Sequence, residues 1–167
     1  MRTSSQTLRF IEQLYDDAEA GRDLDATFGE LGAALDAPGV HSLLLDGGSL
    51  VEAHRHGGSP AAFLTFETHW MHQDPRLAAM MTREGGVVRD EEILDRATFE
   101  RSQYFNEALR PVGVRFSLLA KVPIAPGLVL AQAYMRPPGT RAFTEREATY
   151  LTDVIPPVRR AMHLRQT

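Results

Sequence analysis

The sequence predicts an α+β sandwich in which a mostly antiparallel central sheet carries helices on both faces. Three observations predict it. Two pairs of apolar stretches, 40–46 with 50–56 and 114–122 with 128–135, are each joined by a turn rich in glycine or proline, as hairpins are. Both chain ends carry apolar residues at helical spacing. Between the hairpins lies an aromatic stretch punctuated by proline, which reads as short helices covering one side of the sheet. At 167 residues, 43% hydrophobic and 24% charged, the chain suits one soluble domain over 1–167.

The elements follow in order. Leu8, Ile11, Tyr15 and Ala18 repeat at three and four, after Thr3, Ser4 and Ser5 as caps and before Gly21 as a stop, so a first helix covers 5–20. Leu24, Phe28, Leu31 and Leu35 make a second, opened by Asp23 or Asp25. The first hairpin turns at Asp46-Gly-Gly-Ser49. Ser59-Pro60 then starts a helix on which Phe63, Phe66 and Trp70 share a side, and Pro75 breaks it while Asp74 caps a short successor. Val87-Val88 is a short strand, and Asp95 or Thr98 caps a helix with Phe99, Ser102, Phe105 and Leu109 on one face, ended by Pro111. The second hairpin, turning at 123–127, supplies the central strands. Thr144 and Glu147 form a capping box ahead of a last helix over 145–164, with Phe143 as staple and a kink at Pro156-Pro157.

Composition excludes several functions. With no cysteine there is no disulfide framework, thiolate zinc site or thiol nucleophile. No apolar run approaches the roughly 20 residues of a membrane span, and no signal peptide opens the chain, so a cytoplasmic protein without membrane contact is expected. A net charge of −4 offers no attraction to nucleic acid. Lys121 is the only lysine among many arginines, the bias of a GC-rich bacterial genome.

The aromatic helix is either core or the wall of a ligand pocket. Its polar company favours the pocket. Asp74 lies on it, and Tyr104, Ser117, Gln132 and Tyr134 sit on elements expected to face it. Asp74 serves as a helix cap, a ligand contact or both. Gln132 and Tyr134 interrupt an apolar strand, and a buried amide costs about 1–3 kcal/mol unless a ligand, water or side chain pairs with it. The pairs His54/His56 and His69/His72 have permissive metal spacing, but no HExxH motif and no carboxylate cluster completes a site. Neither a metal nor another cofactor is expected, and no GxSxG elbow offers a nucleophile, so the residues predict no enzyme and no catalytic residue.

Taken together, HWMHQDPR at 69–76, VVRDEEIL at 87–94, FERSQYFNEALRPVGVRFSL at 99–118 and FTEREATYLTDVIPPVRRAM at 143–162 resemble the N-terminal sensor region of bacterial LuxR-type transcriptional regulators. The resemblance implies a GAF/PAS-like α/β/α sandwich, usually dimeric, reporting ligand state to a C-terminal helix-turn-helix domain that lies outside this chain. In the autoinducer-binding branch an aspartate followed by proline contacts the ligand amide, with aromatics upstream covering the acyl group. By motif, Asp74 matches that aspartate and Trp70 and Phe66 the aromatics. Arg76 departs from the branch, which is usually aliphatic there, and Phe66 and His69 stand where tyrosines are common. These departures point away from an acyl-homoserine lactone.

The expectation is a small-molecule-sensing domain with an apolar, acyl or aromatic ligand between sheet and helices. Phe66, Trp70, Tyr104 and Phe116 would wall the pocket, and Asp74, Ser117 and Gln132 would orient the ligand. The homodimer would form through the terminal helices, with Leu8, Ile11, Tyr15, Val154, Val158 and Met162 at its surface, and DNA would be met only through the C-terminal domain. Two other readings stand beside it: a ligand-free dimerisation module of the same fold, and a metal enzyme built on the four paired histidines.

Overall fold

The computed structural model describes residues 4–167. Helix α1 (Ser4–Glu19) and α2 (Asp25–Ala34) precede the hairpin β1 (Gly39–Asp46) and β2 (Ser49–His56). A middle segment follows: α3 (Pro60–Thr65), α4 (Pro75–Met81), the short strand β3 (Gly86–Arg89), α5 (Asp90–Ile93) and α6 (Arg96–Glu100). The chain closes with the hairpin β4 (Phe116–Ala125) and β5 (Leu128–Arg136), and with α7 (Glu145–Arg165). The sheet runs β2-β1-β5-β4-β3, and every neighbouring pair is antiparallel. The expected fold, both hairpins and the strand at Val87-Val88 are all present, and β1, β5 and β4 are interior strands.

Alternation divides these strands between two layers. Val40 and Leu44 on β1, Leu118, Ala120 and Val122 on β4, and Leu130 and Tyr134 on β5 join the main core with α1, α2 and α7. Their neighbours Leu43, Leu119 and Ala131 face the middle segment. Helix α2 lies on β1 and β2, α7 on β3 and β4, and α1 on both helices. Leu24, Phe28, Leu31 and Leu35 are all buried, as their spacing predicts.

Three expectations need correction. The buried face of α1 is Phe10, Leu14 and Ala18, whereas Leu8 is 61% exposed and Ile11 and Tyr15 sit at the margin. Helix α1 runs alongside α7, with the Thr7 hydroxyl 3.2 Å from that of Tyr150 and Arg160 donating to Tyr15 at 2.9 Å, and this docking selects the face. Val154, Val158 and Met162 are fully buried in the chain's own core, so they cannot form a dimer surface. Helix α7 runs on through Pro156 and Pro157 as expected, and the carbonyls deprived of donors belong to the exposed residues Thr152 and Asp153. The middle helices are not continuous. A π-helical turn (Phe66–Trp70) and a 3₁₀ turn (Met71–Gln73) follow α3, and the same pair, Phe105–Leu109 and Arg110–Val112, precedes β4. As a candidate cap, Thr3 lies outside the described residues.

One buried arginine ties the layers of the main core. Arg136, at the end of β5, gives all five N–H groups to the protein: to the carbonyls of Leu35, Asp36, Arg141 and Ala142, and to the Glu147 carboxylate. Its guanidinium lies 3.8 Å from the centre of the Phe143 ring. Glu147 also completes the capping box, accepting from the Thr144 amide at 2.9 Å and from Arg141 at 2.8 Å. Burial works against its charge, but Arg141, Arg136 and the Thr144 amide outweigh burial and hold the carboxyl at about 2. A depressed carboxyl stabilises the fold above its unfolded value, and that stability is lost as pH falls through the folded value. Substituting Glu147→Gln is therefore expected to cost about 3 kcal/mol at pH 7 and to flatten the loss of stability between pH 4.5 and about 2. Urea melts of both proteins across that range check it.

Candidate functional site

A cavity of about 730 Å³ lies between the sheet and the middle segment. Its floor is the face of β1, β5 and β4 opposite the main core, where Ala131 and Ala133 on the central strand leave room that larger side chains would fill. The roof is the stretch from α3 to α4, and the far wall is the π and 3₁₀ turns before β4. Chain entry into the roof passes Gly57, whose φ of +76° and close approach to Pro38 exclude a side chain, since a Cβ would come within 1.7 Å of the Pro38 carbonyl.

The Ser59 hydroxyl caps α3 at the Ala62 amide, 3.0 Å away, with Pro60 in the first turn. The π turn then adds a residue to the helical repeat, so the three rings spread over an arc and do not form one stripe. Phe63 and Phe66 pack edge-on to His41, at 4.7 and 5.3 Å, while Trp70 meets Tyr104 at 6.0 Å.

Arg76 dominates the polar end of the cavity. It is 3% exposed and holds Asp74 with two side-chain bonds, Nε to Oδ1 at 3.1 Å and Nη2 to Oδ2 at 3.0 Å, while its backbone amide donates to Oδ1 at 2.9 Å. The same guanidinium donates to Ser117 Oγ at 2.7 Å and to the Tyr104 hydroxyl at 3.1 Å. Burial opposes its charge, yet Asp74 raises its affinity for the proton overall. Burial pushes the Tyr104 hydroxyl up, so it stays protonated while it accepts from Arg76.

A second buried cluster sits at the β1 end. His41 Nε2 lies 2.8 Å from Glu67 Oε2, and Arg55 on β2 grips the same carboxylate with Nε at 2.6 Å and Nη2 at 2.5 Å. Burial disfavours the Glu67 charge, but Arg55 and His41 hold its carboxyl at about 2. Burial also lowers His41, so the ring is neutral and its Nε2–H donates to the ionised Glu67. His41 Nδ1 then has no hydrogen-bond partner among the described residues.

Of the residues expected at the site, Phe66, Trp70, Asp74 and Gln132 border the cavity. Tyr104 and Ser117 stand behind Arg76 and hold it in place. Phe116 is on the other face of β4, its ring about equally near Arg96 and Arg115, both at 5.0 Å; adjacent strand residues cannot share a face, so Phe116 and Ser117 could not both wall the pocket. Gln132 borders the cavity, but its amide group is turned to the main core. It donates to Ser42 Oγ at 3.0 Å and accepts from the Tyr134 hydroxyl at 3.0 Å, so its partners are side chains. The four histidines do not converge: His54 and His56 pack against α2, His69 and His72 lie on the roof, and no cluster able to hold a metal forms among the described residues. Sequence reasoning missed His41 and Glu67. The one signal was a histidine at an alternate position of an otherwise apolar strand.

Because Gln132 satisfies two buried hydroxyls, Gln132→Ala is expected to destabilise the fold by about 1–3 kcal/mol and to leave the affinity for any cavity ligand unchanged. Denaturant melts and a ligand titration of the same variant check both parts.

No protein-family model matches the sequence, and no curated protein matches it significantly. Solved structures do match. The VqsR LBD domain from Pseudomonas aeruginosa aligns with a TM-score of 0.73 at 15% identity, over 98% of this chain and 96% of that one. The N-acylhomoserine lactone dependent LuxR family transcription factor CepR2 from Burkholderia cenocepacia aligns at 0.63 and 13%, over 96% and 98%. The phycoerythrobilin-bound GAF domain of a cyanobacterial phytochrome aligns at 0.64 and 15%, over 96% of both chains. The fold is therefore the GAF-like α+β sandwich shared by GAF domains and by the sensor domains of LuxR-type regulators.

Proposed function

We propose that this chain is a small-molecule-sensing regulatory domain in which a largely apolar compound, acyl or aromatic, occupies the cavity between the sheet and the middle segment. The observation that carries the reading is the cavity itself, about 730 Å³ bounded mainly by apolar side chains and two central-strand alanines. A dimerisation module with a collapsed core would fill that space. The charged groups at the wall favour binding over catalysis, because Asp74 is consumed by Arg76 and His41 by Glu67. The fold shared with CepR2 and the phytochrome GAF domain, whose descriptions name small molecules, supports the same reading.

The output runs through β2 and α7 to a C-terminal DNA-binding domain. Arg55 on β2 grips Glu67 in the roof, and three residues away Glu52 grips Arg165 at the end of α7, at 2.6 Å. Movement of the roof on ligand entry is passed along one strand to the helix that leads out of the domain. The functional unit is a homodimer in the cytoplasm, assembled through the exposed faces of the terminal helices.

Native mass spectrometry of the purified protein is expected to show a non-covalent adduct that is lost on denaturation, and its mass identifies the ligand. Re-addition at 100 times Kd adds about 2.7 kcal/mol of stability. Ala131→Phe, which fills the floor, is expected to fold and to lose the adduct and the thermal shift. Failure of wild-type protein to carry an adduct or to respond to a panel of acyl and aromatic compounds sinks the sensing reading.

A further inference from the structure

His41 presents to the cavity an acceptor that nothing else among the described residues uses. Alternation puts its side chain with Leu43 on the cavity side of β1, and across the ladder it pairs with Ala133 of the floor. The residue is 7% exposed, and its ring is fixed from two sides: Phe63 and Phe66 pack edge-on to it, and Nε2 lies 2.8 Å from Glu67 Oε2. An ionised carboxylate can only accept, so the proton of the neutral ring sits on Nε2 and Nδ1 keeps a bare lone pair. Among the described residues no group donates to Nδ1, and the nitrogen is not sealed in: the one enclosed, unpaired side-chain nitrogen or oxygen is His54 Nε2. Of the cluster at this end, His41 lines the cavity and Glu67 and Arg55 do not.

A ligand that fills the cavity displaces water from that lone pair, and an acceptor deprived of water is costly unless the ligand supplies a donor. The donor that suits the place is neutral, since Arg55 and Arg76 both act against positive charge at the ring. An amide would also bring a carbonyl among Phe63, Phe66 and Ala133, whereas a hydroxyl brings one hydrogen and a single oxygen. Resting on the sensing reading above, we infer that His41 Nδ1 is a specificity-determining anchor at the β1 end of the cavity, and that the compound bound there carries a hydroxyl group donated to that nitrogen.

The test titrates wild type and His41→Phe calorimetrically with two pairs of probes, para-pentylphenol with para-pentyltoluene and octanol with nonane, each pair exchanging a hydroxyl for a methyl. The variant keeps a ring against Phe63 and Phe66 and removes the acceptor, and the water solvation of the probes cancels when the two proteins are compared. The hydroxyl-to-methyl affinity ratio is expected to fall about tenfold in H41F, in the aromatic pair, the aliphatic pair or both according to the skeleton the cavity takes. An unchanged ratio in both pairs, as a hydroxyl seated on Asp74 would give, overturns the inference and leaves the sensing reading standing. Wild-type protein that binds none of the probes sinks the inference and the apolar-ligand reading together. Should H41F fail to fold, nitrogen NMR of wild-type protein carrying isotope-labelled histidine decides it. The His41 Nδ1 resonance is expected to move upfield, as an imidazole nitrogen does on accepting a hydrogen bond, with a hydroxyl probe and not with its methyl partner, and equal shifts with both overturn the proposal.

Discussion

Each interior strand of this sheet must serve two unlike layers with alternate side chains, and the architecture of the site follows from that constraint. One set of side chains packs with the terminal helices into the main core, and the other faces the middle segment across a cavity. The central strand β5 shows the division most clearly. Leu130, Gln132 and Tyr134 point into the core, while Ala131 and Ala133 between them are too small to reach the roof. Polar groups on the core side are bonded within the protein, Gln132 to Ser42 and Tyr134 and Arg136 through all five N–H groups, and so brace the sheet against which a ligand would lie.

The cavity is kept open by the helices above it as well. Both stretches that cover it pass through a π turn into a 3₁₀ turn before they stop, one at Asp74-Pro75 and the other at Gly113 in the left-handed region. A π turn widens the helix and a 3₁₀ turn tightens it, so each stretch changes direction within eight residues and bends over the sheet. Packing Phe63 and Phe66 on His41, and Trp70 on Tyr104, fixes the bent path at its two ends.

Two buried charge clusters sit at those ends, and they differ in what they can do. At the β1 end Glu67 is shared by His41 and Arg55, which links the roof to the outer strand. At the other, Arg76 gathers Asp74, Tyr104 and Ser117 from three parts of the chain. A buried ion pair is weak evidence for stability, since desolvation offsets much of its attraction. Its consequence here is chemical: it decides which hydrogen-bonding groups the cavity still presents.

Local chemistry determined much of this protein from the sequence alone. The hairpins, the capping residues Ser59, Asp95 and Thr144, the apolar face of α2 and the stop at Asp74-Pro75 depend on neighbours a few residues away, and spacing is enough to read them. The aromatic stretch was legible as a wall for the same reason, and Phe66, Trp70 and Asp74 do line the cavity. Tertiary structure alone decided the rest. Which face of α1 is buried depends on where α7 docks, and which of Phe116 and Ser117 meets the cavity depends on the strand's orientation, because alternation fixes only that the two differ. The π turns fall where packing requires an extra residue, which no periodicity announces. Above all, the contact between Arg76 and Asp74 is two residues long in sequence, but the guanidinium's other partners, Ser117 and Tyr104, are 41 and 28 residues away, and only the folded chain brings them close enough to hold it.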